Sequence, residues 1–233
     1  MIVSINQPAY LPWLGYFDRI VRSDIHVVLD HVQFEKNSFT NRNKIRTKEG
    51  SAWLTIPLST KGKFGNLEIR NLEFASGGDW ERKHWASLRT NYAGTPFFAR
   101  YGSAYEKIYA GKPASFMAFV VAMLEQQLSD LGIATKILFS SQIPAVGHKS
   151  ELILSICKFL GASVYLSGSQ GRSYLDERAF YGSRIGLKYQ DYKHPEYRQA
   201  WPGFESQMGI LDLLFNHGPN SLKILMNDQT QKQ

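Results

Sequence analysis

The sequence predicts a largely parallel α/β fold, and three observations carry that prediction. Short apolar runs alternate along the chain with amphipathic helical stretches. The first strand–helix–strand unit, Ile2 to Leu29, has a right-handed parallel crossover as its natural solution. Three polar clusters follow directly on expected strands: Asn6-Gln7-Pro8-Ala9-Tyr10, Asp30-His31-Val32-Gln33 and Ser167-Gly168-Ser169-Gln170. Open α/β sheets bind ligands at that carboxyl edge, so the clusters mark a candidate site. The expected class is α/β: a mainly parallel sheet with helices on both faces, carrying an antiparallel and helical insertion.

The elements justify this in order. Ile2 to Ile5 reads as a buried first strand, with Gln7 at its end. Pro12 suits the first turn of a helix, and Leu14, Phe17, Ile20 and Val21 share its apolar face. Ile25 to Leu29 is the second strand, with Asp30 at its end. His31 to Arg46 is polar and aromatic without clean periodicity, and such long irregular segments tend to be functional. Ala52 to Leu58 reads as a strand, with Leu67 to Phe74 as its antiparallel partner across Lys61-Gly62-Lys63-Phe64-Gly65. Helices are expected from Asp79, as cap, to Tyr92 and from Pro113 to Leu131, where Gly132 stops the last; Pro96 to Ile108 between them reads as helix or turn. Thr135 to Phe139 is a strand, and His148 to Leu160 a helix ended by Gly161. Val164 to Leu166 is a strand, Tyr174 to Tyr181 a short helix, Leu187 to Tyr192 a last strand and Met208 to Asn216 a last helix. The polar tail from Asn227 should fray.

Composition bounds the partners. The 233 residues are 43% hydrophobic and 20% charged, ordinary for a globular chain, and one domain over 1–233 is expected. The formal charge of +7 favours a small anionic ligand such as a nucleotide sugar or an acyl donor. The densest basic stretch, Lys36 to Lys48, has no nucleic-acid motif around it, so no specific nucleic-acid partner is expected. A homodimer is left open. The single cysteine, Cys157, lies in an apolar helix and reads as buried; a lone thiol fits a reducing cytoplasm. Met1 to Ile5 reads as a strand rather than a signal peptide, and no apolar run reaches membrane-spanning length. The scattered histidines form no metal-ligand spacing, and Walker loop, dinucleotide fingerprint and nucleophile elbow are missing. Neither a metal nor another cofactor is expected.

The segment from Asn6 to Phe17, Asn-Gln-Pro-Ala-Tyr-Leu-Pro-Trp-Leu-Gly-Tyr-Phe, resembles the opening signature of the WbqC-like protein family. The resemblance continues through Asp30-His31-Val32-Gln33-Phe34, Asn41-Arg42-Asn43-Lys44-Ile45 and Trp53-Leu54-Thr55-Ile56-Pro57. It resumes at Leu160-Gly161-Ala162, Tyr165-Leu166-Ser167-Gly168, His194-Pro195-Glu196-Tyr197 and Leu211 to Asn216. The gene setting of that family implies bacterial O-antigen and lipopolysaccharide chemistry on activated sugars. The family's pattern carries His before Gln-Pro; here Asn6 stands there, which removes an acid–base group from that position. A more distant resemblance, to nucleotidylyltransferase-like folds, lacks their paired histidines and has Trp13-Leu14-Gly15-Tyr16 in their place.

The reading that follows is a transferase moving an acyl or aminoacyl group onto a nucleotide-linked amino sugar. The alternatives are a nucleotidyl- or phosphoryl-transfer enzyme and a non-catalytic binding protein for a glycan precursor. His194 or Asp30 would be the base, with Gln7 and the backbone near Gly168 as donors and Arg42 gripping a phosphate. Asn6, Gln7, Tyr10, Gln33, Asn41, Arg42, Asn43, Ser167, Gly168 and Tyr197 complete the candidate binding set. Plainer readings stand beside these. Asn6 and Gln7 could cap a turn, Arg42 could anchor a loop, and Asp212, in an apolar helix, needs a structural or catalytic partner. His84 reads as part of a solvated helix face.

Overall fold

A computed structural model describes residues 1–63, 65 and 67–226. The expected fraying from Asn227 lies outside them. The described chain forms two compact units, each built from separate stretches.

The first unit comprises Met1–Gln7, Tyr16–His31 and Ala134–Lys193. It holds β1 (Ile2–Asn6), β2 (Ile25–Val28), β5 (Lys136–Phe139), β6 (Val164–Ser167) and β7 (Gly186–Tyr189) in one sheet of order β5-β2-β1-β6-β7. Every pairing is parallel. This is the α/β class expected from the sequence. β1 lies at the centre, and Val3, Ser4 and Ile5 are buried there, as a strand covered on both faces requires. Helix α1 (Leu14–Val21) leads from β1 to β2 on one side of it, while α5 (Ser150–Phe159) and α6 (Glu177–Gly182) serve strands on the other. Right-handed crossovers in opposite directions put α1 on one face and α5 and α6 on the other. Phe17 and Ile20 of α1 and Leu152, Ile153, Ile156 and Cys157 of α5 are buried. Burial pushes the Cys157 thiol up to about 12, as its apolar helix setting implies.

The second unit comprises Pro8–Gly15, Val32–Ile133 and the chain from His194 on. Its sheet is a two-stranded hairpin, β3 (Arg42–Thr47) with β4 (Gly50–Thr55), closed by Lys48-Glu49. This corrects the expected pairing. The partner of the Trp53 strand is the segment read as irregular, because its alternation runs in Asn, Lys and Arg rather than in apolar residues. Leu67 to Phe74 contains instead a 3-10 turn at Ile69–Asn71; of the expected pairing it keeps one antiparallel bridge, Phe74 with Leu58, while Glu68 bridges Gln33.

Helices α2 (Trp80–Tyr92), α3 (Phe98–Ala110) and α4 (Phe116–Leu131) pack in sequence, and α7 (Ile210–His217) lies against α3 and α4. A short α8 (Ser221–Met226) follows. Ser115 caps α4 by accepting from the Ala118 amide at 3.1 Å. Gly132 ends it in the left-handed region, φ 70°, and lets the Ile133 amide turn back to the Leu128 carbonyl. Asp79 precedes α2 without capping it; its carboxylate pairs with Arg82 and Lys83 instead. The core of this unit is aromatic. Tyr10, Trp80, His84, Tyr109 and Phe119 form one cluster, and Tyr92, Phe98, Tyr105 and Phe215 another. His84 is thus buried rather than on a solvated face, with Nδ1 2.9 Å from the Tyr10 hydroxyl.

Burial fixes the charge state of two histidines. His26 of β2 is fully buried beside Ser4, and burial, with the Arg19 charge nearby, brings it down to about 3. Burial brings His84 to about 4. Both stay neutral in the fold, while the unfolded chain protonates them below about pH 6.5. The unfolded state therefore binds more protons under acid conditions, and stability present above pH 6.5 is lost as pH falls towards 4. At pH 5 each histidine accounts for about 2 kcal/mol of that loss. Melting temperature should drop between pH 7 and pH 5, and His26→Gln should flatten that slope; a profile flat in both proteins would contradict the assignment.

Candidate functional site

Strand order locates a site in the first unit. From β1 the chain winds to β2 and β5 on one side, then to β6 and β7 on the other. The direction reverses between β1 and β6. Loops leaving two such strands part from one another, and the crevice between them is where doubly wound sheets bind ligands. Asn6 and Gln7 end β1, and Ser167 and Gly168 end β6. Asp30 stands just beyond β2, on the same edge of the same parallel sheet.

The side chains on this edge divide into held and open ones. Asp30 is 5% exposed, and its carboxylate is fully engaged. Oδ1 accepts from the Ser140 hydroxyl and the Ser141 amide, each at 2.9 Å, and Oδ2 from the Ser141 hydroxyl at 2.6 Å. Ser140 Oγ also lies 2.7 Å from Nδ1 of the partly exposed His31. Asp30 thereby orients Ser140, and Ser140 orients His31, whose Nε2 has no hydrogen-bond partner among the described residues. Ser167 is buried, its carbonyl accepting from the Gln190 amide. The side-chain amides of Asn6 and Gln7, both partly exposed, make no hydrogen bonds among the described residues. Arg19 of α1 extends to Gly168, where its guanidinium takes the space a Cβ would need.

Two of these residues escaped the sequence reading. His31 sat inside the quoted Asp30 cluster, but its link to Ser140 spans a long stretch of chain. Arg19 is a polar position on an amphipathic helix, with no local signal that singles it out. Side chains on a helix lean towards its N-terminus, and that tilt brings Arg19 up to the carboxyl edge.

The other expected residues belong to the second unit. Tyr10 is fully buried between His84 and Tyr109, its hydroxyl 2.5 Å from that of Tyr109. Gln33 receives the Leu67 amide and donates to the Phe34 carbonyl. Asn41 donates to the Ile56 carbonyl at 2.8 Å. Asn43, also fully buried, donates to the Leu11 carbonyl and accepts from the Lys44 amide. Arg42 donates to the Asn37 carbonyl at 2.8 Å and lies 4.6 Å above the Trp53 ring, with Phe39 on the same exposed patch. A cavity of about 200 Å³ beside it is lined by Lys36, Asn37, Asn41 and Arg42.

His194 has backbone partners at both ring nitrogens: Nδ1 at 2.9 Å from the Pro195 carbonyl, Nε2 at 3.2 Å from the Gln207 amide. The first must donate and the second accept, so the ring is held in one tautomer. Burial lowers its pKa, and it stacks between Trp13 and Tyr197. Tyr197 donates to Asp212, as does Gln199, each at 2.8 Å. Burial raises the Asp212 pKa, and these two donors oppose the rise. A larger cavity, about 490 Å³, is lined by residues that include Asn91, Arg198, Trp201, Asn216 and His217.

The WbqC-like protein family matches residues 7–224. The chain belongs to that family. It is similar to the uncharacterized protein Rv1507c of Mycobacterium tuberculosis, 36% identical over 218 residues that span 93% of this chain and 94% of the relative. No solved structure matches it. Among the described residues of this WbqC-like chain, no helix is long and apolar enough to cross a membrane.

The geometry around Asn43 makes a direct prediction. Leu11 has a positive φ of 45°, and Asn43 holds its carbonyl in place. Asn43→Ala strands two buried backbone groups and should cost about 2–3 kcal/mol. Urea unfolding reads this as a lower midpoint with unchanged slope. An unchanged midpoint would release Asn43 from this bracing role.

Proposed function

We propose that this chain is a transferase that places an acyl or aminoacyl group on the amine of a nucleotide-linked sugar used in surface-glycan synthesis. The observation that carries the reading is the reversal of strand order between β1 and β6. It gathers the open amides of Asn6 and Gln7 and the Ser167-Gly168 turn at the edge where doubly wound sheets take nucleotides. The basic charge and the family's glycan setting agree with it.

Acyl transfer to an amine needs a base for the attacking nitrogen and donors for the carbonyl oxygen. His31 is assigned as the base. It is partly exposed on this edge, its Nδ1 is held by Ser140, and Asp30 holds Ser140 in turn. The amine attacks the donor carbonyl and its proton passes to His31 Nε2. The tetrahedral carbon then expels the leaving group, which takes that proton, and an amide bond remains. Gln7 and Asn6 supply donors for the oxyanion or the sugar hydroxyls. Asp30 is a positioning residue here, since all three of its hydrogen bonds go to the serine turn.

Incubation with nucleotide-linked 4-amino sugars and a panel of acyl and aminoacyl donors should produce an acyl mass gain on the sugar nucleotide. His31→Gln should then lower kcat by about 100-fold or more, with KM and melting temperature nearly unchanged. Sugar nucleotide that binds but gains no mass with any donor would count against transfer. Metal-dependent release of pyrophosphate would point to nucleotidyl transfer instead.

A further inference from the structure

The Arg19 side chain is partly exposed, yet its Nε is buried without a hydrogen-bond partner. Among the described residues its guanidinium makes no hydrogen bond and no ion pair. Asp18, the adjacent carboxylate, does not serve it: Oδ1 accepts from Arg22 and Oδ2 from Gln190, each at 2.6 Å. The groups around Arg19 are phenols, those of Tyr16, Tyr165 and Tyr174. Tyr16 is 4% exposed, and its hydroxyl too is buried without a partner. His26, edge-on to Tyr16 at 5.5 Å, is neutral, and its Nε2 is also unpartnered. A guanidinium whose Nε is shut away from water with no acceptor is costly, and natural folds rarely leave one so. With Nε closed off, the exposed part of the side chain is its Nη end, beside Gly168. An ideal Cβ there would stand 3.1 Å from Arg19 Cζ and closer still to Nη1. Glycine at 168 is thus what lets the guanidinium reach the carboxyl edge.

We infer that Arg19 forms a phosphate-binding subsite at the β1/β6 switch point, and that it takes the diphosphate of a nucleotide-linked substrate. The planar fork of Arg19 grips two phosphate oxygens at once. An ammonium in its place would keep the charge and lose the fork. The inference rests on the reading of the ligand as a nucleotide-linked sugar, but the phosphate grip does not depend on which group is transferred.

Calorimetry on the full chain tests it with inorganic pyrophosphate, UDP and UDP-glucose as probes. The wild type should bind all three, more weakly at higher salt. Arg19→Met and Arg19→Lys should each weaken pyrophosphate and UDP at least tenfold, and Gly168→Ala should do the same by pushing the guanidinium aside. Melting temperature adds a readout that separates function from scaffold. Removing an uncompensated charge should leave Arg19→Met as stable as the wild type or more so. A structural arginine would show the reverse, a lower melting temperature with pyrophosphate affinity retained. Equal pyrophosphate binding by wild type and Arg19→Met, no binding of any probe, or UDP binding without pyrophosphate binding would each overturn the subsite. Loss of binding in the variants without acyl transfer by the wild type would keep the subsite and reject the transferase reading alone.

Discussion

Asp30 stands where β2 ends, and Ser140 and Ser141 stand where β5 ends, so its buried carboxylate joins the point at which the chain leaves the first unit to the point at which it returns. Hydrogen bonds of this kind each contribute about 0.5–1.5 kcal/mol net, and leaving a buried acceptor without one costs more. Three of them on one carboxylate close the stretch 31–139, whose closure entropy grows only slowly with its length. The parallel pairing of β2 with β5 has no short crossover to enforce it, and this latch adds to its backbone ladder at the carboxyl end. The same atoms orient His31. Closing the sheet and presenting an imidazole at its edge are one arrangement.

Polar groups elsewhere in the first unit follow a different logic. Ser4, Ser23 and His26 satisfy one another inside the sheet–helix layer. Arg19 Nε, Tyr16 Oη and His26 Nε2 remain without partners a short way off. Folds minimise such groups unless something outside the chain completes them. The closed Asp30 latch shows the contrast, with both of its carboxylate oxygens satisfied within the chain.

The second unit treats its polar motif residues as braces. Asn41 and Asn43 alternate along the hairpin start and pin two neighbouring segments by their carbonyls. Tyr10 crosses an aromatic core to reach His84 and Tyr109. His194 fills a stack between Trp13 and Tyr197 with both ring nitrogens occupied. Arg42 lies flat over the exposed Trp53. Arg42 and the rims of the two cavities present chemistry outward here.

The sequence by itself determined the class of the fold, because apolar periodicity and the strand–helix–strand unit at the N-terminus are local signals that burial of a central sheet requires. It also placed Gln7, Asp30 and Ser167 at strand ends, since the end of an apolar run is visible in one dimension. Three things were not legible. The β3–β4 hairpin was hidden because the buried positions of β3 are Asn43, Ile45 and Arg46, on both faces of the strand, rather than a clean apolar alternation. The roles of His31 and Arg19 depend on Ser140 and Gly168, residues far along the chain that meet them only once the sheet is assembled. The division of polar residues into braces and open groups was likewise undecidable, because an Asn that holds a carbonyl and an Asn that awaits a ligand look alike in sequence. Only tertiary structure distinguishes them, since hydrogen-bond satisfaction is a property of three-dimensional neighbours rather than of residue type.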